Sequence, residues 1–213
     1  MLYRWLQTTV LLLLAAQATA QTPQTAPPAG HEHHHHEAAA APAPTAEVPV
    51  KPTIPDVALV DQDGKPVRFY SDLVQGKVVM MNFIFTSCTT ICPPMGATFA
   101  KVQKVLGERA GRDVHLISVS VDPATDTPER LKAWSQKLGA GPGWTLVTGG
   151  REEVTQLLKA LGVYTASISD HTPLVLVGND VQGRWTRAYG LAPPTKLVEL
   201  IDGMTVAPKE TRP

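Results

Sequence analysis

This chain lacks the marks of several function classes. Lysine plus arginine equals aspartate plus glutamate at 19 each, so the formal net charge is zero. The basic excess that neutralises a nucleic-acid backbone is missing, as is a polybasic patch for an anionic membrane surface. Only two cysteines occur in 213 residues, so no disulfide framework replaces a core. Past the first twenty residues, no apolar run is long enough to span a bilayer. There is no internal repeat. At 43% hydrophobic and 18% charged, the chain is too apolar for full disorder, and its length suits one domain with tails.

What is present is unevenly placed. The chain opens MLYRWLQTTVLLLLAAQATA: Arg4, an apolar run from Val10 to Ala16, then small residues at Ala18 and Ala20. That order predicts a secretory signal over residues 1–20, cut after Ala20. The cut site carries no cysteine for lipid attachment. The expected location is therefore periplasmic, with no transmembrane span in the mature chain. An uncleaved anchor is the alternative.

Residues 21–53 are rich in Pro, Ala, Thr and Gln and contain no aromatic residue, which predicts a disordered linker. Five of the seven histidines fall here, as His31, His33, His34, His35 and His36. Neutral imidazoles are good ligands for copper, zinc and nickel, so this cluster is a candidate auxiliary metal site.

From Ile54 to residue 205 the pattern becomes that of a folded domain, followed by a short tail over residues 206–213. Two short strands around Val57–Val60 and Val67–Phe69 flank the turn Asp61-Gln-Asp-Gly64, predicting an N-terminal β-hairpin. Val78–Phe85 is almost wholly apolar and reads as a strand buried on both faces. Met95, Phe99, Val102 and Leu106 form one helical stripe, Val114–Val121 is another strand, and Thr127-Pro128 opens a helix carrying Leu131, Trp134 and Leu138. Then follow a strand from Trp144, a helix through Val154–Leu161, strands at Leu174–Val177 and Arg184–Tyr189, and a last helix opened by Pro193-Pro194. The order β-β-β-α-β-α-β-α-β-β-α predicts an α/β fold, a central mixed β-sheet flanked by helices in a thioredoxin-like layout.

Cys88 and Cys92 lie in FTSCTTICPP, where the buried strand ends and the first long helix begins. A helix start offers unpaired N–H groups and partial positive charge, which favour a thiolate. If the stretch is helical, the i, i+4 spacing puts both sulfurs on one face, close enough for a redox disulfide or for one soft metal ion, copper or zinc. A purely structural disulfide across so small a loop would add only about 2 kcal/mol. His115 alternates with apolar residues and reads as an ordinary strand residue. His171, in Ser169-Asp-His-Thr-Pro173 just before a strand, is a candidate third ligand, with Asp170 as the group that orients its ring.

Three segments, FTSCTTICP at 85–93, SVDPATDTPERL at 120–131 and DHTPLVLVG at 170–178, resemble the Sco/SenC family in sequence, order and separation. The resemblance spans roughly residues 54–205. It implies a thioredoxin-like fold and copper, as Cu(I) or Cu(II), bound by Cys88, Cys92 and His171. It also implies an extracytoplasmic role in delivering copper to a respiratory cytochrome oxidase, with the oxidase copper subunit or another copper chaperone as partner. Some members instead reduce the disulfide of the target's copper-ligand cysteines. Asp122 and Asp126 match family positions, with at most a loop-shaping or supporting role. The leading expectation is thus a metallochaperone. Thiol–disulfide exchange through Cys88 and Cys92 is the alternative, and a thiol peroxidase is a weaker third.

Overall fold

The structure is a computed structural model that describes residues 52–205. The expected leader, the histidine cluster at 31–36 and the tail at 206–213 lie outside the described residues. A seven-stranded mixed sheet runs in the order β2-β1-β5-β4-β3-β6-β7. Its strands are β1 (Ala58–Asp61), β2 (Pro66–Arg68), β3 (Val78–Ile84), β4 (Val114–Ser120), β5 (Trp144–Gly149), β6 (Leu174–Asn179) and β7 (Arg184–Tyr189). The helices are α1 (Cys92–Leu106), α2 (Pro128–Lys137), α3 (Arg151–Ala160) and α4 (Pro194–Thr205). This is the element order that the hydrophobic pattern predicts.

The N-terminal hairpin pairs Ala58 with Arg68 and Val60 with Pro66. Its turn is tied by Asp61, whose Oδ1 accepts from the N–H groups of Asp63 and Lys65 at 2.9 Å each. The pattern did not show the short π-helical turn at Phe69–Val74, whose Phe69 and Val74 are fully buried.

β3, β4 and β5 are mutually parallel, while β6 runs antiparallel to β3 and β7 to β6. Alternate residues of the central strands feed two cores. Met80, Ile84, Leu116 and Leu146 pack under Met95, Phe99 and Val102 of α1 and Leu197 and Ile201 of α4. Val79, Met81, Phe83, Ile117 and Val119 pack under Val154, Leu157 and Leu158 of α3, the π-turn and the hairpin. Burying both faces explains why β3 is a continuous apolar run rather than an alternating one. A Cβ on Gly96 would lie 2.5 Å from Leu138 Cδ1 and 2.6 Å from the Trp134 ring, so its bare backbone lets α2 approach α1. Thr127 caps α2, its Oγ1 accepting from Arg130 N–H at 3.4 Å, and Pro128 takes the first helical position as expected.

Strand direction places the site. The loops after β3 and β4 leave from the same end of the sheet, and the loop before antiparallel β6 enters there. Open α/β sheets bind ligands beyond the carboxyl ends of their parallel strands. Among the described residues, no helix is long and apolar enough to cross a membrane.

Candidate metal centre

Four residues after β3 ends at Ile84, Cys88 donates its N–H to the Phe85 carbonyl at 3.2 Å, closing a tight turn. Residues 89–91 bend, and α1 begins at Cys92 followed by Pro93 and Pro94. The first N–H groups of a helix have no intrahelical partner. Here two are absent because the residues are prolines, and the first intrahelical bond runs from the Met95 N–H to Ile91 O at 3.1 Å. The N–H of Cys92 donates to Cys88 Sγ at 3.3 Å. The two sulfur residues are therefore joined, but not on one helical face: Cys88 precedes the helix, because the prolines let α1 start only at Cys92. This corrects the helical i, i+4 reading of the pair: the two residues meet through a backbone N–H on a sulfur.

Both thiols are free, with Cys88 8% exposed and Cys92 fully buried. Their chemistry diverges. Burial alone would raise the Cys88 thiol, but the N–H and thiol of Cys92 and the N–H and hydroxyl of Thr90 outweigh it and hold Cys88 at about 7. Burial pushes Cys92 up to about 12; the neighbouring N–H of Phe85 works against this, whereas the Cys88 sulfur and the Asp126 charge add to it. At neutral pH the outer sulfur is thus partly thiolate and the inner one a thiol.

His171 follows a 3-10 turn at Ile168–Asp170 and is buried. Its Nε2 pairs with the Phe83 carbonyl at 3.0 Å. The β3–β6 register stops at Asn82–Val175, one residue short of Phe83, so the imidazole serves a carbonyl that β6 does not reach. Burial lowers the imidazole's affinity for a proton, opposed by the Phe83 and Ile168 carbonyls. In the neutral ring Nε2–H donates to Phe83, leaving the lone pair on Nδ1. The ring also meets Phe85 edge-on, with centroids 5.7 Å apart. Phe85 thus touches all three predicted groups: its carbonyl holds Cys88, its N–H faces the Cys92 sulfur, and its ring packs on His171.

Among the described residues, no three His, Cys, Asp or Glu side chains gather closely enough to hold a metal ion. The structure joins Cys88 and Cys92 and puts His171 one aromatic ring away, turned to a backbone oxygen. Asp170 does not orient that ring, a correction to the sequence expectation. It is exposed, and its Oδ1 accepts from Ser169 Oγ at 3.5 Å, because the Phe83 carbonyl has taken the orienting position. His115 sits half-buried in β4 as an ordinary strand residue, its proton affinity lowered by burial and then by Lys77. Asp126, for which the family resemblance implies at most a loop-shaping or supporting role, is buried at the same end of the sheet. The signal was the second aspartate of DPATD, one residue ahead of the helix cap.

The donor set, two buried sulfurs of unequal acidity and a neutral imidazole, suits a soft ion such as Cu(I). The SCO1/SenC family model matches residues 46–192. The SCO1 protein homolog of Bacillus subtilis is 42% identical over 90 residues, which cover 42% of this chain and only 45% of that protein. Among solved structures, Bradyrhizobium japonicum ScoI with copper bound aligns at a TM-score of 0.58 and 26% identity, over 69% of this chain and 96% of that one. BsSco, described as a member of the Sco family of cytochrome c oxidase assembly proteins with a disulfide switch, aligns at a TM-score of 0.59 and 28% identity, over 72% of this chain and 95% of that one.

Proposed function

Because the chain belongs to the SCO1/SenC family, we propose that it is an extracytoplasmic copper-binding protein that delivers copper to, or helps assemble, the copper centre of a respiratory cytochrome oxidase. The observation that carries this reading is the contact of Cys92 N–H with Cys88 Sγ at 3.3 Å, which holds two buried sulfurs together at a helix start. Copper is the cargo. Cys88 and Cys92 grip it as thiolates, binding displaces their protons, and His171 completes the set. For that, the Ser169–Pro173 loop moves and the ring reaches the sulfurs. A partner, the oxidase copper subunit or another copper chaperone, takes the ion through shared thiolate ligands. Export follows from the leader, and the histidines at 31–36 supply a second, looser copper site.

The test is anaerobic Cu(I) titration of the protein against a chromophoric competitor. The wild type should hold one ion that the Cys88→Ser, Cys92→Ser double variant does not. Equal retention by the two would end the metallochaperone reading.

The unequal thiols favour a second reading, reduction of a partner's copper-ligand disulfide. The Cys88 thiolate attacks one partner sulfur, forming a mixed disulfide and releasing the other as a thiolate. Cys92 then loses its proton, attacks Cys88 Sγ and frees the second partner sulfur. The partner gains two electrons and this chain ends as the Cys88–Cys92 disulfide. A His171→Ala variant that loses copper yet keeps full oxidase assembly would favour this reading over delivery.

A further inference from the structure

Asp126 is 1% exposed, and among the described residues it has no ion pair. A carboxylate buried without a cation must be compensated by directed hydrogen bonds. Its Oδ1 accepts from the Thr86 N–H at 3.0 Å and the Thr86 hydroxyl at 2.5 Å. Its Oδ2 accepts from the Ser120 hydroxyl at 2.6 Å and, more loosely, from the Thr86 N–H at 3.2 Å. The aspartate is itself pinned. Its N–H donates to Asp122 O at 2.9 Å, and the Asp122 N–H donates to Ser120 Oγ at 3.1 Å. From outside, Arg130 Nε donates to Thr86 Oγ1 at 3.2 Å.

Three of the four contacts on the carboxylate come from one residue, and that residue opens the loop bearing Cys88. A general role in joining β4 to α2 would be served by Ser120 and the turn alone. It would not require both polar groups of Thr86, forty residues away in sequence. Thr86 lies two residues ahead of Cys88, after the Phe85 whose carbonyl receives the Cys88 N–H. Where Thr86 is held therefore decides where Cys88 Sγ meets the Cys92 N–H.

We propose that Asp126 is a positioning residue for the sulfur pair, clamping Thr86 so that the loop delivers Cys88 onto the start of α1. The proposal rests on Cys88 and Cys92 being the working pair, and it holds for either copper delivery or disulfide exchange.

The experiment measures the dithiol–disulfide equilibrium of the full chain against glutathione, and the sulfur-to-Cu(II) charge-transfer spectrum of the copper-loaded protein. It compares wild type, Asp126→Asn, Asp126→Ala, Thr86→Val and the Asp126→Ala, Thr86→Val double variant. Asp126→Ala should move the equilibrium constant about tenfold, equivalent to ~30 mV for this two-electron couple, and should shift the charge-transfer band. Asp126→Asn keeps an acceptor for the Thr86 N–H and should restore most of both. Thr86→Val should move them in the direction of Asp126→Ala. The double variant should go no further than Asp126→Ala, since one contact has already been removed. A folded Asp126→Ala protein with wild-type equilibrium and spectrum overturns the proposal, as do strictly additive effects of the two substitutions. If Asp126→Ala does not fold, unchanged values in both Asp126→Asn and Thr86→Val overturn it equally. If wild type captures no Cu(I) while the variants still shift the thiol equilibrium, copper delivery fails and the clamp stands.

Discussion

The two segments that meet at the end of the sheet are held in different ways. The cysteine segment is over-determined. Thr86 is clamped by Asp126, the Phe85 carbonyl takes the Cys88 N–H, and the Cys92 N–H closes on the Cys88 sulfur. The histidine segment rests on less: an imidazole–carbonyl contact to Phe83, an edge-on packing against Phe85, a 3-10 turn and the Gly190 N–H on the Pro173 carbonyl. On the proposed reading, the cysteine half of the site stands ready, and His171 must exchange its Phe83 contact to join it. For the proposed role in copper delivery this division would be useful. A rigid pair gives affinity and selectivity, and a lightly held third group can engage or withdraw at the small cost of one hydrogen bond.

The largest expected effect lies within the rigid segment. Thiolate is the reactive form, so alkylation of Cys88 should rise with pH and level off above about 7, while Cys92, held at about 12, should react slower by orders of magnitude at neutral pH. Iodoacetamide labelling with peptide mass analysis from pH 5 to 9 resolves the two; comparable rates would erase the asymmetry.

The seam between the segments should respond next. Gly190 donates its N–H to the Pro173 carbonyl at 2.8 Å, and a Cβ there would lie 2.6 Å from Met95 Sδ and 3.2 Å from the Pro173 carbonyl atoms. Gly190→Ala should destabilise the protein by ~1–3 kcal/mol through overpacking. It should also weaken the His171-dependent part of copper binding while sparing capture by the two sulfurs. Urea unfolding and Cu(I) competition measured on the same variant check both halves of the statement.

The smallest effect tests how lightly the histidine is held. Replacing His171 by Ala leaves the Phe83 carbonyl without its donor, and because water can enter the space the ring leaves, the metal-free protein should lose about 1 kcal/mol, the low end of the cost of an unpaired buried acceptor. A loss several times larger in denaturant titration would show that the histidine segment is as firmly built as the cysteine segment, and the contrast between them would disappear.

Most of the fold could be read directly from apolar spacing. The run VVMMNFI was buried on both faces because helices cover both sides of β3, and the Met95, Phe99, Val102 stripe was one side of α1 because those residues point at the sheet. The π-helical turn at Phe69–Val74 was illegible because six residues carry too little periodicity to distinguish it from a loop. At the site, the cysteine pair was visible because its members are neighbours in the chain, and His171 because the sequence holds so few histidines outside the 31–36 cluster. The acceptor of the His171 ring was not visible, since any carbonyl at that end of the sheet would have matched the same sequence.

By itself, then, the amino-acid order determined which elements form, which faces they bury, and that two sulfurs stand where a strand passes into a proline-opened helix. These are consequences of local propensity and of neighbours along the chain. Tertiary structure alone decided that Cys88 stays outside the helix and accepts from its first N–H, that Phe83 rather than Asp170 holds the imidazole, and that Asp126 reaches across forty residues to Thr86. Each of these depends on where separate segments come to rest against one another once the sheet has assembled, and on which buried carbonyl or carboxylate then lacks a partner.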